Sequence, residues 1–238
     1  MSEFLLAVDT ATETTAVCLL KDGQILQATN AEGRHHSRRL LELVTQVLQR
    51  AELKTRQLSA LGIGLGPGSF TGVRIGATFV KTLALVQKIP LVGVCTLEVL
   101  ASGGGERPVV PVLNAYRGLV YAAAYQPTPE GMKTLLEPQS LLPEQLCKKL
   151  NELTHPLELI GDGAHLYAEL FSRQLGPAAQ IPKDSSRHRL RADCLGRLCA
   201  GKFDRREFID AHTFEPLYLR QADAELVRSF PPRTNQPG

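Results

Sequence analysis

The chain repeats one order of predicted elements, with three short strands, a helix, a strand and a second helix in each half. In the first half the strand segments are FLLAVDTA, TTAVCLL and QILQATN. The second half follows the same order with PVVPVLNA, GLVYAAAYQ and MKTLLEP. A repeat as long as a whole lobe indicates duplication, since solenoid repeats are much shorter. The sequence therefore predicts an α/β protein of two duplicated βββαβα lobes that face each other across a cleft.

The predicted boundary between the lobes is the glycine-rich stretch ASGGGERP, which is typical of a hinge or a surface loop. This boundary assigns residues 1–104 to an N-terminal lobe and residues 105–230 to a C-terminal lobe. The proline-rich end, residues 231–238, is predicted to be a flexible tail. A chain of 238 residues with 43% hydrophobic content is long and apolar enough to bury a large core.

The net charge says little about whether the chain binds nucleic acid, and the distribution of charge along the sequence says more. The formal net charge is +3, which is too small to indicate nucleic-acid binding. Between Lys183 and Arg206, however, eight basic residues stand against three acidic ones. This stretch is either a contact for a polyanion or an ordinary solvated face.

Cysteine usage and the N-terminal sequence both favour a cytoplasmic protein. The five cysteines are far apart and form no C-x-x-C pair, so they are predicted to be small buried hydrophobes in a reducing compartment. The opening MSEFLLAVDT has no cationic leader, and no apolar run reaches the ~18 residues of a membrane span. We therefore expect no membrane association.

Asp9 is the first candidate for chemistry, because it follows the first strand where open α/β sheets place ligand groups. In a phosphotransferase such an aspartate would hold magnesium, and a glycine two residues later would make room for phosphate. This chain has Ala11 there, lacks a Gly-Lys-Ser/Thr element, and has Asn114 at the duplicated position. Asp9 is thus either the remnant of a nucleotide loop or a turn cap.

The histidines and serines do not form a recognisable metal or nucleophile pattern. His35 and His36 are adjacent, whereas a helical metal pair needs i, i+4 spacing, and the residue four after His36 is Leu40. Ser69 has no histidine placed by the sequence to activate it. We expect no metal site, no cofactor and no serine nucleophile, and we interpret His36 as a residue at a helix start.

The stretch GLGPGSFTGVRIG combines several glycines with a proline between a strand and a helix. Gly66, Pro67 and Gly68 can reverse the chain, and Ser69 or Thr71 can cap the helix that follows. Gly72 and Gly76 are four apart on that helix. They are predicted to let the preceding helix come close.

Two predicted helices carry surfaces of interest. The first, residues 37–52, has Ser37 as its predicted N-cap and an apolar stripe at helical spacing. The second, residues 69–87, is apolar except for a narrow stripe that includes Thr71, Arg74, Thr78 and Thr82. A face meant for water usually carries Lys and Glu, so threonines around an arginine favour contact with another protein over a plain surface.

Taken in order, LAVDTAT, GLGPGSFTGVRIG, PVLNAYRGLVYAAAY, GDGA and EPLYLR resemble the TsaB (YeaZ) family over nearly the full chain. The resemblance implies the actin-like, sugar-kinase-like (ASKHA) fold. It also implies a non-catalytic subunit that binds and activates TsaD in the t6A37 modification of tRNAs reading ANN codons. TsaD would carry the metal and transfer the carbamoyl group, TsaE would supply ATPase activity, and contact with tRNA would be indirect.

The resemblance also implies which residues act, since it places the TsaD contact on the two helices. The expected interface consists of Ser37, Leu40, Leu41, Val44, Thr71, Arg74, Thr78 and Thr82, and the expected vestigial nucleotide loop of Asp9, Gly66, Gly68 and Ser69. Without TsaD, the same helices are expected to form a homodimer. One departure is Asn114-Ala115-Tyr116, where the family commonly has Asp-Ala-Arg. The alternatives are an ATP-dependent phosphotransferase or hydrolase of the same fold, and a peptidase.

Overall fold

The computed structural model describes residues 2–33, 35–129, 131–153 and 156–219. The predicted tail 231–238, and the predicted C-terminal lobe beyond residue 219, lie outside this range. The strands in the described residues are β1 (Phe4–Asp9), β2 (Thr14–Lys21), β3 (Gln24–Glu32), β4 (Ala60–Gly64), β5 (Leu91–Val94), β6 (Val109–Asn114), β7 (Val120–Thr128), β8 (Gly131–Leu141), β9 (Leu157–Ile160), β10 (Ala179–Gln180) and β11 (Phe208–Ile209). The helices there are α1 (His36–Arg50), α2 (Phe70–Gln87), α3 (Thr96–Ser102), α4 (Pro143–Leu150), α5 (Asp162–Leu166), α6 (Ala168–Leu175) and α7 (Ala192–Asp204).

Two mixed sheets have the same internal order. The first sheet runs β11-β5-β4-β1-β2-β3 and the second runs β10-β9-β6-β7-β8. In each, the first strand of the half is central, antiparallel to the next strand and parallel to the strand that follows the first helix. This shared order confirms the predicted α/β fold of two duplicated lobes.

The first hairpin shows how local sequence sets the strand register. Asp22 and Gly23 both have positive φ, at 50° and 74°, between β2 and β3. Two such residues match the twist of the flanking strands, which is why Asp-Gly favours a two-residue hairpin. The predicted turn at Lys21-Asp22-Gly23 is therefore confirmed. In β3, intermediate and exposed residues alternate, as expected for an edge strand with one solvated face.

The helices form layers on both faces of both sheets. α1 and α2 cover one face of the first sheet, and α4 and α6 cover the outer face of the second. α7 packs against the other face of the first sheet, while α3 packs against the second. The chain therefore crosses between lobes, since α7 and β11 come from the second half, yet α7 packs on the first sheet and β11 is one of its strands. The seven-residue helix α3 was not predicted from the sequence.

Small residues allow α7 to approach the first sheet closely. A Cβ on Gly62 would lie 2.6 Å from Cys199 Sγ, and one on Gly196 would lie 2.4 Å from Cys18 Sγ. All five cysteines are free, and four are buried. Burial raises the pKa of the Cys18 thiol to about 12. The prediction that the cysteines are small hydrophobes is confirmed for those four.

No helix within the described ranges is both long enough and apolar enough to span a bilayer.

Candidate functional site

The glycine-rich loop before α2 packs directly on the turn between β1 and β2. A Cβ on Gly68 would lie 2.1 Å from the Ala11 carbonyl oxygen. The Ser69 amide donates to that same oxygen at 2.7 Å. The glycine is therefore needed because two backbones meet at this point.

The Thr10 hydroxyl connects this turn to α2. It donates to the Gly72 carbonyl at 2.6 Å and accepts from the Gly76 amide at 3.1 Å. A Cβ on Gly72 would lie 2.1 Å from the Thr10 carbonyl oxygen, and one on Gly76 would lie 2.7 Å from the Thr10 hydroxyl. The prediction that these glycines face α1 is wrong, because their close neighbour is the β1–β2 turn.

Ser69 begins α2 as a capping residue. Its hydroxyl accepts a hydrogen bond from the Gly72 amide at 3.2 Å, which satisfies a free donor of the first turn. The predicted cap is confirmed, with Ser69 chosen over Thr71. Gly66, two residues past β4, has a φ of 87°, as expected where a strand reverses into a helix. Both roles of this loop are structural.

Asp9 is buried, and its carboxylate faces the protein interior. Its Oδ1 accepts from the Ala11 amide at 2.8 Å, and its Oδ2 accepts from the Thr96 hydroxyl at 2.8 Å. Burial raises its pKa to about 6, against the lowering effect of these two bonds. The turn-cap interpretation of Asp9 is confirmed. Asn114 repeats the arrangement in the second lobe, where its Oδ1 accepts from the Tyr116 amide at 2.9 Å.

A cleft of about 330 Å³ remains between the lobes, lined by Thr12, Glu13, Ser69, Asn114, Tyr116, Asp162, His165, His188 and Arg189, among others. An ion pair between Glu32 and Arg189, at 2.5 Å, joins the two sides. Asp162 accepts from the Asn114 amide at 3.2 Å, and burial raises its pKa.

Two histidines stack on one side of the cleft. The rings of His165 and His188 have centroids 3.9 Å apart. His188 Nδ1 accepts from the Gly161 amide at 3.1 Å, which leaves Nε2 to donate to the Pro182 carbonyl at 2.7 Å. Burial lowers the pKa of His165. In the described part of the chain, no three His, Cys, Asp or Glu side chains are grouped to hold a metal ion.

α1 begins two residues earlier than the predicted cap requires. His36 is its first residue, so His36 does start the helix, but the prediction of Ser37 as N-cap is wrong and no side chain caps this end. His36 is buried, and its Nδ1 lies 2.9 Å from the Thr15 hydroxyl. This contact holds the start of the helix against β2.

The predicted interface residues divide between surface and core. Ser37, Leu41, Thr71, Arg74, Thr78 and Thr82 are exposed, whereas Leu40 and Val44 are buried against the first sheet. Leu41 is 58% exposed and Val86, at the end of α2, is 74% exposed. α2 contains no acidic residue. Together the exposed residues form a semi-apolar face of α1 and α2, here called the α1–α2 face.

A segment that the sequence analysis did not assign lies along α2. In residues 210–219, Phe214 packs with the core cluster under α2, and the Leu217 amide donates to the Leu65 carbonyl at 2.8 Å. The Tyr218 ring lies 5.4 Å from the Phe70 ring, between centroids. The motif EPLYLR marked this segment within the resemblance, but no local pattern could show where it packs.

Most arginines of the basic stretch 183–206 are paired within the chain. Arg187 contacts Glu158 and the Gly103 carbonyl, which joins the interlobe connection to β9. Arg191 and Arg197 both pair with Asp193, at 2.7 and 3.1 Å. Pairing of this kind reduces the charge available to an external polyanion.

Comparison with known proteins finds one matching family model, several relatives and similar solved structures. The family model described as TsaD, tRNA N6-adenosine threonylcarbamoyltransferase, matches residues 29–226. The tRNA threonylcarbamoyladenosine biosynthesis protein TsaB of Bacillus subtilis is 31% identical over 93% of this chain and 96% of its own length. TsaB of Escherichia coli is 30% identical, covering 91% and 94%. The solved structure of YeaZ from Pseudomonas aeruginosa superposes with a TM-score of 0.76 at 30% identity, covering 90% of this chain and all of that one.

Proposed function

The chain belongs to the TsaB (YeaZ) family of tRNA threonylcarbamoyladenosine biosynthesis, within the wider family of the TsaD model, and we propose that it is the non-catalytic subunit that binds and activates TsaD. In this proposal it serves the t6A37 modification of tRNAs that read ANN codons. The chain contributes no reacting group. Its contribution is a surface that holds TsaD in a competent state.

The α1–α2 face is the observation that carries this proposal. Monomeric proteins seldom expose several large apolar side chains on one face, and this face combines the exposed Leu41 and Val86 with the partly buried Ile75 and Phe79. Thr78 and Thr82 lie on the same helix, and threonine can be buried at an interface at a lower desolvation cost than Lys or Glu. Of the predicted interface, Leu40 and Val44 support the face from within the core.

A single substitution on this face tests the proposal. Thr78→Glu places a charge in the middle of the α1–α2 face, where burial without a partner is costly. We expect it to abolish co-elution with purified TsaD at micromolar concentration in gel filtration with light scattering. The matched control is Thr134→Glu, at an exposed position of β8 in the second lobe, which should leave the complex intact. Both variants should stay folded, as shown by a cooperative thermal transition.

Failure of the wild-type chain to bind TsaD at that concentration would contradict the proposal. So would a complex that survives Thr78→Glu as well as it survives Thr134→Glu, because the contact would then lie elsewhere. Reconstitution of tRNA modification with TsaD, TsaE and this chain measures activation directly. In this proposal, TsaE joins the assembly as a further partner.

In the absence of TsaD, we propose that two copies pair through the same face. The reason is that the exposed apolar side chains are covered equally well by their own copy. Light scattering should give a dimer for the isolated chain and a monomer for Thr78→Glu. A dimer that persists in the variant would place the self-contact elsewhere.

The interlobe cleft is the observation that favours an alternative function, an ATP-dependent phosphotransferase or hydrolase. Its volume favours this alternative, whereas the buried carboxylate of Asp9, which already accepts hydrogen bonds from the Ala11 amide and the Thr96 hydroxyl, opposes it. Calorimetry with Mg-ATP on the isolated chain separates the two. Tight binding with turnover would support the enzyme and remove the non-catalytic role. A protease assay that is insensitive to changes at Asp9 and Ser69 tests the peptidase alternative.

For tRNA, we propose indirect contact through TsaD. The internal pairing of Arg187, Arg189 and Arg191 supports this, since these arginines already have carboxylate partners. Direct binding would show a steep salt dependence that is lost in the double variant Arg189→Glu, Arg191→Glu. That result would contradict the indirect role.

A further inference from the structure

We infer that Arg74, held by Phe70 and Tyr218, is a preorganised anchor for a carboxylate of the partner protein on the α1–α2 face. This inference rests on the proposed function, because it names the chemistry by which that face would recognise TsaD. It also adds a residue, Tyr218, that lies outside both helices.

The geometry fixes the Arg74 side chain from two sides. Its guanidinium carbon lies 3.7 Å from the centroid of the Phe70 ring, one helical turn earlier on α2. Its Nε donates to the Tyr218 hydroxyl at 3.3 Å, and the Tyr218 ring in turn contacts Phe70. An arginine held in this way has lost much of its rotamer freedom before any partner arrives, which lowers the entropic cost of binding.

The same geometry leaves the outer edge of the guanidinium available. Nε is the nitrogen that bonds Tyr218, and Arg74 is exposed. In the described part of the chain no Asp or Glu pairs with Arg74. The two terminal nitrogens of an arginine fit both oxygens of one carboxylate, which is the strongest common pairing of this side chain.

Charge favours TsaD over a second copy as the source of that carboxylate. α2 has no Asp or Glu, and its other charged residue is Lys81. α1 has one acid, Glu42, which already pairs with Arg38 at 2.7 Å. A second copy that presents its own α1–α2 face would therefore bring positive charge toward Arg74 without a free acid. A heterologous partner with an acidic residue meets no such repulsion.

Three variants test the anchor against purified TsaD by titration calorimetry. Arg74→Ala removes it and should weaken binding on the order of 30-fold, the scale of an interface hot spot. Arg74→Lys should recover little of this loss, since lysine cannot pair at two points. Tyr218→Phe keeps the ring and removes the hydroxyl, so it should weaken binding by about 3- to 10-fold. Arg205→Ala, an exposed arginine at the end of α7, is the matched control and should bind as the wild type does.

The outcomes separate this inference from the proposed function. If the wild type and Arg205→Ala bind TsaD and Arg74→Ala binds equally well, the anchor is refuted while the proposed function stands. If the wild type does not bind, the proposed function fails first. If Arg74→Ala weakens the homodimer as much as it weakens the TsaD complex, the carboxylate belongs to a second copy and the inference is overturned. Loss of tRNA binding in Arg74→Ala with TsaD binding intact would assign Arg74 to phosphate and overturn it as well.

Discussion

Replacing Gly72 by alanine tests the central packing claim, that the glycine loop and α2 lie directly on the β1–β2 turn. In an ordinary helix this substitution stabilises by about 1 kcal/mol. Here the new Cβ would lie 2.1 Å from the Thr10 carbonyl oxygen, so one backbone must move by about 1 Å. Such overpacking costs about 1–3 kcal/mol. The movement also breaks the 2.6 Å bond from the Thr10 hydroxyl to the Gly72 carbonyl, at about 1 kcal/mol.

The expected net effect is a loss of about 2 kcal/mol in the free energy of unfolding, or about 4–8 °C in Tm for a chain of this size. Equilibrium unfolding in urea measures it, with Gly105→Ala as the control. Gly105 has no atom within 4 Å of an added Cβ, so that variant should stay within about 0.5 kcal/mol of the wild type. If Gly72→Ala is as stable as Gly105→Ala, the loop does not pack as described.

Three further predictions concern stability. Because burial raises the pKa of Asp9 to about 6, folding favours its protonated form, so this carboxyl stabilises the fold fully below about pH 4 and loses the effect as pH rises through 6. Urea unfolding of the wild type and of Asp9→Asn measures this effect. Between about pH 4 and pH 7, the free energy of unfolding of the wild type should fall by on the order of 3 kcal/mol relative to that of the variant. A difference that stays constant with pH would contradict the prediction. Thr10→Val removes the hydroxyl shared by two α2 backbone groups and should lower the unfolding free energy by about 1–3 kcal/mol, whereas an unchanged urea midpoint would argue against that link. Arg187→Ala removes the partner of the partly buried Glu158 and the contact to the Gly103 carbonyl, so it should speed amide hydrogen exchange at residues 103–108. The control Arg205→Ala should not. Equal protection in both variants would exclude a role of Arg187 in holding the interlobe connection.

The α2 glycines show where prediction from the sequence stopped. Their spacing correctly indicated a close contact, because a glycine pair on one helix face usually marks one. It could not indicate the neighbour, since α1 and the β1–β2 turn are both compatible with the same spacing. Asp9 was similar, because its position after β1 allowed a ligand or a cap, and only the structure showed that its second oxygen is bonded to Thr96, 87 residues away.

By itself, the sequence determined the duplicated α/β order, the Asp-Gly hairpin, a helix start within residues 69–71 and the resemblance to the family. Strand patterns, turn residues and caps act over a few neighbouring residues, and the resemblance rests on short motifs. The tertiary structure alone decided that β11 joins the first sheet and α7 packs on it, that Leu40 and Val44 are buried, and that Tyr218 reaches Arg74. These contacts join residues far apart in the chain. Their identity depends on how whole elements pack, which no local pattern encodes.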